Sequence, residues 1–195
     1  GVTAILSASP YYNKPSQEGI FQHYKYLTEH FTHPIILYNV PGRTSSNVTA
    51  ETTLKIANEL NNILGIKEAS GNMEQVMHIL NKKPDEFLMI SGDDALTLPM
   101  LACGAEGLIS VIANSHPETT KQLVYNGTEG DFRSARLAHF KLLELIDAIF
   151  ADGNPSGVKV LLNEQGIMEN ELRLPLVPVN KSLESTLRKL NFKKS

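Results

Sequence analysis

The chain has 195 residues, 42% of them hydrophobic, an ordinary make-up for a globular chain of one large domain. A formal charge of −3, with 18 basic residues and no basic run beyond Lys-Lys pairs, gives no footing for nucleic acid. The single cysteine, Cys103, excludes an intrachain disulfide and fits a reducing, cytoplasmic setting, and no apolar stretch reaches membrane length.

Residues 2–8, "VTAILSA", read as the first strand. They carry no basic leader, so a signal peptide is not expected. The missing initiator Met and the start inside a strand suggest a piece of a longer chain. Residues 17–31 place Ile20, Phe21, Tyr24 and Leu27 at helical spacing after a capping Ser16. A strand is expected at 34–40, "PIILYNV", and a helix at 50–60 after Thr49. The third strand is 62–67, "NILGIK". Asn72 with Gln75 resembles a capping box before a helix at 73–81. A strand at 87–91 follows, then a helix at 95–103 capped by Asp94 and ended by Cys103-Gly104. The fifth strand is expected at 107–112, "GLISVI".

These strands are near-continuous apolar runs, as suits parallel strands covered on both faces. Strand and helix alternate five times, which predicts a parallel α/β sheet, open or closed into a barrel. Beyond residue 116 the pattern turns helical, at 117–126, 131–150, 156–166 and 181–191, with Pro117 well placed at a first helical position. Loops are expected at 153–157 and 173–179. The division is therefore 1–116 and 117–195.

In parallel α/β folds ligands gather at the C-terminal ends of the strands. Lys67 ends the third strand. A desolvated ammonium has a lowered pKa, which makes its amine a competent Schiff-base nucleophile. The plainer alternative is a snorkelling lysine or a pair with Glu68. Tyr38 ends the second strand and could relay a proton, or pack its ring and bond its hydroxyl to backbone. Arg43 could hold a carboxylate with its planar fork, or be a solvated loop arginine. Tyr11 and Tyr12 suit a subunit contact or loop-edge packing. His30 and His33 lack a third ligand, so a metal site is not expected. Asp93 and Asp94 read as a helix cap rather than a cation site, and Cys103 as a small core residue. Neither a P-loop nor a dinucleotide fingerprint is present.

Taken together, "PYYNKPSQEG", "YNVPGRT", "GIKEASGN", "SGDD" and "GLISV", with the later "NPSGVK" and "LRLPLVPV", resemble dihydrodipicolinate synthases along essentially the whole chain. These are class I pyruvate-dependent aldolases with a TIM (β/α)8 barrel. The resemblance implies that the five strands are the last five of eight and that the chain ends in a C-terminal helical region. The first three βα units would be absent, and with them a Thr-Thr pair whose hydroxyl links two relay tyrosines. It implies a lyase in which Lys67 forms the Schiff base, Tyr38 relays protons, Tyr12 reaches across a dimer interface into the neighbouring site as a second relay with Tyr11 its companion at that interface, Arg43 holds a substrate carboxylate, and the Ile109 backbone carbonyl lies close to substrate. The substrates would be pyruvate and L-aspartate 4-semialdehyde, the product 4-hydroxy-tetrahydrodipicolinate, an intermediate of lysine and diaminopimelate biosynthesis. No metal or organic cofactor is implied, and the assembly would be a homotetramer. N-acetylneuraminate lyases and sugar-acid aldolases share the lysine, but the sialic-acid branch lacks an arginine at the Arg43 step. A non-catalytic half-barrel is the rival of another class. The chain alone is expected to be inactive.

Overall fold

The computed structural model describes residues 1–192. They form two compact units, one of residues Gly1–Ile109 and one beginning at Ser110.

The first unit is a five-stranded parallel sheet in sequence order: β1 (Ile5–Ala8), β2 (Ile35–Asn39), β3 (Ile63–Glu68), β4 (Leu88–Ser91) and β5 (Gly107–Leu108). The intervening helices are α1 (Gln17–His30), α2 (Pro41–Thr44), α3 (Ala50–Glu59), α4 (Met73–Leu80) and α5 (Thr97–Ala102). Side chains alternate across the sheet. Ile35, Leu37, Ile66 and Met89 face the helices, where they cluster with Ile20, Phe21 and Tyr24 of α1, Ile56 of α3, and Val76 and Ile79 of α4. Each of these helical sets falls on one face, so apolar burial fixes the helices to the sheet. The opposite face carries Leu6, Ile36, Tyr38, Lys67 and Ile90 and is only partly buried, with Leu6 exposed. The apolar runs therefore mark one fully covered face, not two.

The caps explain where helices begin. Ser16 Oγ accepts from Gly19 N at 3.2 Å and Thr49 Oγ1 from Thr52 N at 3.3 Å. Asn72 Oδ1 accepts from Gln75 N at 3.1 Å, but the reciprocal half of the capping box is missing. Ser70 Oγ takes the Asn72 N–H instead, and the Gln75 side chain turns inward. Asp94 does not cap α5. Asp93 Oδ1 accepts from Ala95 N and Leu96 N, an Asx turn that delays the helix to Thr97. At its far end Gly104 adopts φ +106° and Ala105 N–H returns to Met100 O. Cys103 is exposed there and is not a core residue.

Four of the five strands, all but β3, are shorter than the sequence suggests. β2 begins only after Pro34, so β1 pairs from Ile5 onward, with Ile5 N donating to Pro34 O at 2.8 Å. β5 stops at Leu108. Ile109 N still donates to Ser91 O at 2.9 Å, but Ser110 Oγ then accepts from Ala113 N and turns the chain into a 3₁₀ turn at Ile112–Asn114.

The second unit is helical: α6 (Pro117–Thr128), α7 (Phe132–Phe150), α8 (Ser156–Glu164) and α9 (Lys181–Phe192). In α7 Ala135, Ala138, Leu142, Leu145, Ile146 and Ile149 form one buried stripe. Helix α8 begins at Ser156, inside the expected 153–157 loop, and comes so close to α7 that a Cβ on Gly157 would lie 2.4 Å from Ile149 O. Arg188 of α9 joins Glu164 of α8 at 2.7 Å. No described helix is long and apolar enough to cross a membrane.

Candidate active site

The C-terminal ends of β2 and β3 bring two of the singled-out residues together. Tyr38 and Lys67 are register partners on neighbouring strands, so both side chains leave the same, partly buried face. Lys67 Nζ lies over the Tyr38 ring, 4.1 Å from its centroid. Burial holds the Lys67 ammonium below the ordinary lysine pKa. The charge of Asp94 pulls it back up, and the Arg43 guanidinium pushes it down again. The ring's negative face favours the ammonium, yet burial prevails. A larger share of free amine is therefore available near neutral pH than on a solvated lysine.

Glu68 forms no ion pair with Lys67. The period of two in a strand sends adjacent side chains to opposite faces, and Glu68 points to the helix side, where it is 1% exposed. The alternative pairing of these two neighbours is thereby overturned. The carboxylate that Lys67 does feel is Asp94, buried in the loop that follows β4. Its adjacency to Asp93 made it look like a cap; a second acid beyond a strand end was the available signal.

Gly92 completes the seat. A Cβ on it would lie 2.9 Å from Lys67 Cγ and from Ala69 Cβ, and 3.0 Å from Lys67 Cε. The lysine's aliphatic stem thus runs in the space that the missing side chain leaves.

Arg43 lies in α2, a single helical turn that Pro41 starts and the left-handed Ser45 (φ 55°) ends. It is exposed, and its charge reaches Lys67. The expected loop arginine is thus carried by a formed turn. Ile109, half-buried at the end of β5, is fixed through its N–H to Ser91 O. Tyr12 is 90% exposed, in a left-handed conformation at φ 65°, with Tyr11 exposed beside it. His30 bonds through Nδ1 to Tyr26 O and stacks on the Tyr26 ring. Among the described residues no group of three or more His, Cys, Asp or Glu is disposed to hold a metal ion.

The sequence matches the dihydrodipicolinate synthetase family over residues 1–192. A 4-hydroxy-tetrahydrodipicolinate synthase of Parabacteroides distasonis is 51% identical over 197 residues, covering 99% of this chain and 66% of that protein. The crystal structure of dihydrodipicolinate synthase from Thermotoga maritima superposes with a TM-score of 0.97 at 41% identity, over 100% of this chain and 67% of that one. A monomeric dihydrodipicolinate synthase variant superposes with a TM-score of 0.97 at 40% identity, over 100% of this chain and 66% of that one. The chain spans 60% to 66% of the length of the curated relatives it matches. By sequence and by fold, the chain belongs to the dihydrodipicolinate synthetase family.

Proposed function

We propose that the intact protein condenses pyruvate with L-aspartate 4-semialdehyde through an imine on Lys67. The observation that carries this reading is the half-buried lysine of lowered pKa seated over Tyr38 at the strand ends. The free amine of Lys67 adds to the pyruvate ketone and water leaves, giving an imine. Once protonated, this imine is an electron sink, so the methyl group gives up a proton and an enamine forms. The enamine carbon attacks the aldehyde, whose oxygen takes a proton by way of Tyr38. The amino group of the semialdehyde moiety then adds to the imine carbon, closes the ring and expels Lys67. Arg43 holds the semialdehyde carboxylate, which makes the carbon–carbon step effectively intramolecular. The Ile109 carbonyl would border the substrate.

Several expectations belong to the same reading. The five βα units would be the last five of a (β/α)8 barrel. Tyr12, standing 90% exposed, would act across a dimer interface. A cytoplasmic homotetramer is the proposed assembly, and the 195-residue chain alone would not turn over pyruvate. Incubation of the intact protein with pyruvate and the semialdehyde tests the reaction. Formation of the cyclic product is the expected result. Cleavage of N-acetylneuraminate without that product would assign the neighbouring lyase activity instead.

A further inference from the structure

Behind the candidate site, on the helix side of the sheet, lies a buried polar network centred on Glu68. Its carboxylate is 1% exposed and meets three donors. Asn39 Nδ2 of β2 and Gln75 Nε2 of α4 donate to Oε2 at 2.9 and 3.0 Å, and Ser70 N donates to Oε1 at 2.6 Å. The partners are themselves held. Asn39 Nδ2 also donates to Asn47 Oδ1, while Asn39 Oδ1 accepts from Val48 N at 3.0 Å. Asn47 Nδ2 donates to Gln75 Oε1 at 2.9 Å. Gln17 of α1 then clamps the same loop, donating to Asn47 O at 2.7 Å and accepting from Thr49 N at 3.1 Å.

Each strand residue of this network directly follows a site residue. Asn39 follows Tyr38, Glu68 follows Lys67, and the two pairs are register partners. We propose that Glu68 is a positioning residue, whose carboxylate locks the ends of β2 and β3 together and so sets Lys67 over Tyr38. The proposal rests on the reading of Lys67 as the imine-forming lysine.

The network has a direction, and Glu68 sets it. A carboxylate only accepts, so both amides must present their NH₂ groups to it. Rotating the Asn39 amide would break its bond from Val48 N, and rotating Gln75 would break its bond from Asn47. Replacing Glu68 by glutamine therefore sets donor against donor in either orientation of the new amide, in a place water does not reach.

The test compares the intact wild-type protein with its Glu68→Gln variant in single-turnover trapping of pyruvate by borohydride, across a pH series, beside thermal unfolding. The expected result is trapping slowed between about 10- and 100-fold, the range for a misplaced reacting group. The pH midpoint moves upward as well. Water reaching a loosened ammonium raises its pKa, whereas simple loss of a nearby anion would lower it. A lower melting temperature with trapping rate and midpoint unchanged would overturn the positioning role and leave a structural one. A downward midpoint would also overturn it. If Glu68→Gln does not fold, Gln75→Met removes one donor from the same carboxylate and is read by the same signs. If the wild type itself traps no pyruvate, the imine reading fails and this proposal goes with it. If the wild type traps and the variant matches it, only the positioning role fails.

Discussion

Gly92→Ala is the sharpest perturbation of the Lys67 seat. The new methyl would stand 2.9 Å from Lys67 Cγ and Ala69 Cβ, and 3.0 Å from Lys67 Cε. Carbon atoms pack comfortably at about 3.5–4.0 Å, so each contact must open by roughly 0.5–1 Å. The backbone resists this movement. Gly92 N donates to Glu68 O and Ala69 N to Asn39 O, both at 2.8 Å. The lysine chain is the part that yields. Overpacking costs about 1–3 kcal/mol in a closed core, and a half-buried lysine that can shift places this case near the lower figure. Displacing the reacting amine by about 1 Å costs up to about 100-fold in rate, equivalent to about 2.7 kcal/mol. Activity should therefore fall further than stability. Single-turnover pyruvate trapping and a thermal melt on the same preparation measure both. A folded Gly92→Ala protein that traps within about twofold of the wild type would refute the seat.

Arg43→Gln should raise the KM for the semialdehyde more than that for pyruvate. It should also move the trapping midpoint upward, since Arg43 pushes the Lys67 pKa down; steady-state kinetics and the pH series check the two effects. Tyr24, fully buried and donating to Ser7 O at 3.0 Å, has its phenol pushed from 10.0 up to about 12. Above pH 10 the unfolded chain gives up this proton first, so stability present below pH 10 is lost as pH rises toward 12, by roughly 2–3 kcal/mol. Urea unfolding at pH 8 and pH 11 should show about half of that loss, roughly 1.4 kcal/mol, in the wild type and much less in Tyr24→Phe, which costs about 1 kcal/mol at pH 8. Gly157→Ala would drive its methyl to 2.4 Å from Ile149 O and 2.6 Å from Ile149 Cα. Backbone cannot yield as a side chain does, so the melting temperature should drop sharply, with a loss of about 3 kcal/mol or more.

The strand ends were legible because apolar runs give way to Tyr38 and Lys67 at matching places, and parallel pairing then makes them neighbours. The caps at Ser16, Thr49 and Asn72 were legible for the same local reason: a short polar side chain reaches a backbone N–H three residues on. What failed depended on partners distant in sequence or on competition between adjacent residues. Asp93 and Asp94 are equivalent as letters, and only the turn decides which accepts from the backbone and which is buried near Lys67. "GLISVI" has the pattern of one strand, whereas the Ser110 hydroxyl accepts from Ala113 N and turns the chain. Glu68 was hidden beside Lys67, where unlike charges suggest a pair. Its partners at 39 and 75 belong to other elements, and no local pattern names them.

The central claim is an imine on Lys67, and one measurement addresses it most directly. The intact protein is incubated with pyruvate, reduced with borohydride, digested and mapped by mass spectrometry. The account predicts one reduced pyruvate adduct, on the peptide that contains "GIKEASGN", with the mass added at Lys67 and lost in Lys67→Arg. A folded protein that carries no adduct, or carries it on another lysine, would contradict it.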